Sequence, residues 1–98
     1  MTNAQRHHTQ EIAQIEVYGR MGNLLAKMRN LSVTGAFLEL THADFVPQKG
    51  DLLRVTVNLN SVKRTHQLNA LVVWTRDLGL GVQFISEEQV LSGMMNRL

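Results

Sequence analysis

Hydrophobic and polar positions alternate along most of this chain. From Ile12 the period is two: Ile15 and Val17 fall on one side and Gln14 and Glu16 on the other, until Gly19-Arg20-Met21-Gly22 signals a turn. A second strand is expected from Asn23 to Arg29, with Leu24, Ala26 and Met28 inward and Leu25, Lys27 and Arg29 on the other side. A third follows over Ala36-Phe37-Leu38-Glu39-Leu40, then a loop punctuated by Pro47 and Gly50. Leu53, Val55, Val57 and Leu59 alternate with Arg54, Thr56, Asn58 and Asn60, the clearest half-buried strand in the chain. After a polar loop through Asn60-Ser61-Val62-Lys63-Arg64, a fifth strand puts Leu68, Ala70, Val72 and Trp74 in one register, which makes Trp74 a core residue. A turn at Asp77-Leu78-Gly79 precedes a last short strand, Leu80 to Ile85.

Short strands joined by hairpin-length connections favour an all-β fold, a small six-stranded antiparallel β-barrel, because closure removes the exposed edges an open sheet would leave. The period then changes. Ser86 followed by Gln89 is a capping-box pattern, and Ile85 and Val90 occupy the positions of a hydrophobic staple, so a C-terminal α-helix is expected to start there. Val90, Leu91, Met94, Met95 and Leu98 form its apolar stripe, opposite Glu87, Glu88, Gln89, Ser92 and Asn96. The stripe is expected to cover a barrel end; the sharper alternative is that it docks a partner helix. Residues 1–11 are polar and lack an apolar period, which predicts a flexible N-terminal arm, with residues 12–98 as the barrel domain and 86–98 as its helix.

With 98 residues, 44% of them hydrophobic, the chain suffices for one core. The absence of cysteine excludes a disulfide framework, a zinc-thiolate site and a Cys nucleophile. The N-terminal residues have no signal-peptide core, and no apolar run approaches the ~20 residues of a membrane span, so a soluble, cytoplasmic protein without membrane insertion is expected. A formal charge of +2 and a pI near 9.5 suit an anionic ligand but fall short of a DNA binder. One Trp, one Tyr and three Phe leave little for an oligonucleotide stacking platform. No Ser, His, Asp or Glu falls in a nucleophile or metal arrangement, so no enzyme is expected, and His7 and His8 read as solvated polar residues without a metal.

Between the second and third strands stands Asn30-Leu31-Ser32-Val33-Thr34-Gly35. Read alone it is a turn, since Asn, Ser and Gly build turns with or without a ligand; that Asn30-Leu31-Ser32 also matches a glycosylation sequon is coincidence. In order along the chain, Arg6 with its neighbours, this turn, Val72-Val73-Trp74 and Gly79-Leu80-Gly81-Val82-Gln83-Phe84 together resemble the PilZ domain family. Those are small β-barrels that bind the bacterial second messenger cyclic di-GMP. The resemblance implies a nucleotide-binding signalling module whose ligand is cyclic di-GMP. It implies ligand contacts from Arg6, Gln10, Asn30, Ser32 and Gly35, with Arg29 and Trp74 behind them. It further implies an effector protein as partner, in motility, pilus or exopolysaccharide machinery, with ordering of the arm as the output. The alternative is an adaptor of the same fold that no longer binds the messenger.

The family's arm carries Arg-x-x-x-Arg, and Arg6-His7-His8-Thr9-Gln10 is the matching segment, so glutamine stands where the second arginine is expected. A guanidinium offers a bidentate fork to phosphate or guanine and stacks on a base; glutamine keeps a donor without the charge. At Asn30 an amide replaces the carboxylate that could accept from both donors of a guanine edge. Ser32 can donate to phosphate, and Gly35 permits positive φ and close approach of a ligand. Arg20, Lys27 and Arg29 are the cations that would compensate for Gln10 if they reach the site. Gln10→Arg is expected to tighten cyclic di-GMP binding roughly tenfold to a hundredfold in a calorimetric titration, the worth of one charged hydrogen bond. An unchanged affinity would remove the arm from the site.

Overall fold

The structure, a computed structural model, describes residues 11–59 and 64–95. The positions expected for Arg6, Gln10, the polar loop at 60–63 and Leu98 lie outside the described residues. Six strands and one helix follow the chain as β1 (Glu11–Val17), β2 (Leu24–Leu31), β3 (Gly35–Ala43), β4 (Leu52–Leu59), β5 (Arg64–Arg76), β6 (Gly79–Ile85) and α1 (Glu87–Met95). Around the barrel the order is β1-β2-β3-β6-β5-β4, every pair antiparallel. The sheet closes where β1 meets β4, in the register Ala13↔Val57, Ile15↔Val55 and Val17↔Leu53.

The period of two decides what goes inside. Ala13, Ile15, Leu24, Ala26, Leu38, Leu53, Val55, Ala70 and Leu80 are fully buried, each at an alternate position of its strand. Transfer of such side chains from water, about 1.5–3 kcal/mol for each large aliphatic group, is the main force holding the barrel shut. The β1–β2 turn is closed by the Arg20 N–H donating to the Val17 carbonyl at 3.1 Å, with Gly19 and Gly22 both at positive φ, as the sequence leads one to expect.

Three irregularities break the alternation. On β2, Arg29 and Asn30 together oppose Phe37, because Met28 pairs with Leu38 and Leu31 with Ala36. On β3, Thr41 is the extra residue, with its hydroxyl donating to the Leu25 carbonyl at 3.3 Å. On β5 the extra residue is Val73: Val72 pairs with Val82 but Trp74 with Gly81. That single insertion reverses the face of everything after it. Trp74, expected in the core, therefore points outward and is 46% exposed.

The helix starts on the capping box: the Ser86 N–H donates to Gln89 Oε1 at 2.9 Å and the Gln89 N–H to Ser86 Oγ at 3.2 Å. Its stripe behaves differently from expectation. Val90 alone of the described stripe is buried, whereas Leu91, Met94 and Met95 remain exposed. Gly93 lies on Leu52, where an added Cβ would come within 3.0 Å of Leu52 Cδ1. The helix thus rides the wall of the barrel, outside its main core cluster.

Leu38→Ala, deep in that cluster, is expected to lower the unfolding free energy by about 2–5 kcal/mol in a urea titration, through lost transfer energy and a residual cavity.

Candidate functional site

The Ser32–Gly35 turn is built by one buried hydroxyl. Ser32 is the buried polar residue of the described chain, 7% exposed. Its Oγ accepts from the Thr34 and Gly35 N–H groups, both at 3.3 Å, and stands 3.2 Å from the Gly35 carbonyl and 3.1 Å from Thr34 Oγ1 for its own proton. The Ser32 N–H also donates to the Gly35 carbonyl at 2.9 Å, and the Phe84 N–H to the Thr34 carbonyl at 2.8 Å, which ties the turn to β6. Gly35 serves close approach and not positive φ: an added Cβ there would collide with the Val82 carbonyl oxygen, so any side chain would force β3 off β6.

Beside this turn the outer wall carries an aromatic floor. Phe37, Gly81 and Trp74 form one row across β3, β6 and β5, since Phe37 and Trp74 both pair with Gly81. The two rings stack with centroids 5.6 Å apart and planes 19° apart. They do so over glycines. A Cβ on Gly81 would overlap the Trp74 indole, and one on Gly79 would come within 2.8 Å of Phe37 Cε1. The Gly-x-Gly of β6 puts two residues without side chains on one face of a strand, leaving room for rings from both neighbours.

Turn and floor together line a groove of about 390 Å³, with Ser32, Thr34 and Gly35 at one side, Phe37 and Trp74 at the other, and Gln83 between them. Asn30 sits in the bulge at the end of β2, and Arg29 beside it is half-exposed and paired with Glu39 at 2.9 Å. Of the expected site residues, the structure brings Ser32, Gly35 and Trp74 into the groove itself. Phe37, Thr34 and Gln83 are additions. Phe37 and Trp74 could have been found from the Gly79/Gly81 spacing, which leaves a bare strip only aromatic neighbours would cover. The other two cations named from sequence are placed elsewhere: Arg20 lies over the Phe45 ring at 3.6 Å, and Lys27 stands across the ladder from Glu39.

A second groove of about 350 Å³ lies between α1 and the wall, lined by Tyr18, Arg54, Asn69, Leu91 and Met94 among others. The Tyr18 hydroxyl donates to Asn69 Oδ1 at 2.7 Å. That same hydroxyl, and behind it the carboxylates of Glu16 and Glu87, raise the Arg54 pKa above its ordinary value. Among the described residues no group of His, Asp and Glu is placed to hold a metal ion, and no helix is long and apolar enough to cross a membrane.

The described chain is thus a closed small barrel with a turn-and-aromatic groove on its wall. A family model described as the PilZ domain matches residues 3–97, and the chain belongs to that family. No curated protein matches it. PilZ domains generally bind cyclic di-GMP and act as adaptors, and they are binding modules, not enzymes.

Gly81→Ala is expected to displace the indole, shifting the fluorescence of the one tryptophan, and to cost about 1–3 kcal/mol of stability through overpacking. Unaltered emission and stability would show that the ring does not rest on Gly81.

Proposed function

We propose that the chain is a cyclic di-GMP receptor and adaptor in which residues 1–11 form an arm over a barrel of residues 12–98, and the ligand lies between them. The observation that carries this reading is the groove itself. It joins a polar turn, held by its own hydrogen bonds, to a stacked aromatic floor, the two surfaces that a molecule made of phosphates and purines needs. A guanine laid on Trp74 gains base–aromatic stacking of about 1–3 kcal/mol. Asn30 offers its side-chain amide, Gly35 gives the groove a face without a side chain, and Ser32 supports both by holding the turn. β1 begins at Glu11, opposite Met28, so the chain enters the barrel one residue along the ladder from Arg29 and two from Asn30. Arg6 and Gln10 precede that entry and are the arm's contributions. Closing the arm over the ligand alters the surface offered to an effector protein, a switch without chemistry. Motility, pilus or exopolysaccharide machinery is the expected setting.

One observation favours a second reading, an adaptor that acts through protein contacts without the messenger. Gln10 lacks the charge of the family's second arginine, and Leu91 and Met95 are about 60% exposed on α1. Methionine-bearing apolar faces suit adaptable partners.

A titration with cyclic di-GMP followed by amide NMR separates the two. Saturable shifts are expected at residues 30–35, at Gly81 and at the Trp74 indole N–H, with α1 unaffected. Trp74→Ala is expected to weaken binding roughly fivefold to a hundredfold. An absence of shifts at high micromolar ligand would leave the adaptor reading.

A further inference from the structure

The ligand groove has a cation at its border that is held by another residue. Arg29 and Asn30 share the β2 bulge opposite Phe37, so Arg29 stands on the outer wall next to the aromatic floor. Among the described residues its guanidinium bonds to Glu39, Nη2 to Oε1 at 2.9 Å, while its buried Nε has no hydrogen-bond partner there. A guanidinium carries five donors in a planar fork. Here one is engaged by a carboxylate and another is unused, although the group remains 41% exposed and able to turn.

Glu39 has a replacement at hand. Lys27 is its direct partner across the β2–β3 ladder, whereas Arg29 reaches it diagonally. Should Arg29 leave, Lys27 can take the carboxylate, so the exchange strands no charge. An exposed ion pair of this kind is weak, and a phosphate offers the fork a better match than one carboxylate oxygen.

We propose that Arg29 is the phosphate-binding cation that offsets Gln10, and that Glu39 is a positioning residue that restrains it, handing it over when ligand arrives. This rests on the cyclic di-GMP reading above. Ligand affinity is then set in part by the strength of the Arg29–Glu39 pair, and Glu39 is the position at which it can be tuned without touching the groove.

The test is a double-mutant cycle in cyclic di-GMP affinity, measured by calorimetry on the full chain for wild type, Glu39→Gln, Arg29→Ala and the double variant, with thermal melts to establish folding. Glu39→Gln is expected to tighten binding roughly two- to fivefold, the scale of an exposed pair, and Arg29→Ala to weaken it roughly tenfold to a hundredfold. In the Arg29→Ala background the gain from Glu39→Gln should vanish, since Glu39 acts through Arg29. Arg29→Lys should restore part of the loss, as a charge without the fork. An affinity unchanged or lowered by Glu39→Gln overturns the proposal. So does a gain that persists without Arg29, which would be simple removal of a negative charge near the ligand. Wild-type binding with a flat Glu39→Gln response takes down this inference alone, whereas binding by none of the proteins takes down the ligand assignment with it.

Discussion

The pairing of β1 with β4 is the constraint on which the rest of the molecule depends. With it, every strand has two neighbours and the sheet has no open edge strand. It also commits one face of each strand to the interior, where Ile15, Leu24, Leu38, Leu53 and Leu80 exclude water. A barrel this small is filled by its side chains. Any binding surface must therefore be on the outer wall or at a rim, and it must be made by departures from the regular ladder.

The bulges are those departures. The one on β2 places Arg29 and Asn30 against Phe37, and the one at Val73 turns Trp74 outward onto Gly81. Between them β6 contributes glycines, so the wall is recessed where its neighbours carry rings. The Ser32 hydroxyl then fixes the adjoining turn, and Gly35 lets it lie flat against the Val82 carbonyl. Backbone irregularity, bare glycine and aromatic cover act as a unit: without the bulge the indole would enter a core that has no space for it, and without the glycines the floor could not lie against the sheet.

The helix makes a different surface around the wall. Gly93 seats it on Leu52, Val90 is buried, and Leu91, Met94 and Met95 are exposed. The groove beside the turn and the groove under the helix are lined by separate sets of residues, so the barrel carries two distinct surfaces on one frame. One is polar with an aromatic floor; the other is apolar and rimmed by Tyr18, Arg54 and Glu87.

Most of the frame was legible in the sequence because its causes are local. Alternation of Leu53, Val55 and Val57 with Arg54 and Thr56 specifies a half-buried strand wherever it occurs, and Ser86 with Gln89 closes a capping box within four residues. Glycines at 19 and 22 allow the backbone of a turn regardless of what surrounds it. The family-bearing turn at 30–35 was legible for the same reason. Trp74 was misplaced because period-two counting assumes an unbroken ladder, and the extra residue at Val73 exists only relative to β6. For Gly35 the sequence suggested positive φ and close approach of a ligand, whereas the structure gives a third reason, the nearness of the Val82 carbonyl on the neighbouring strand. The Arg29–Glu39 pair depends on the diagonal register of two strands, which neither strand encodes alone. What the sequence by itself determined is each element and its buried face, since those follow from residues a few positions apart. What only the tertiary structure decided is where functional side chains point and meet, because a shift of one residue in strand pairing sends a side chain to the opposite side of the sheet.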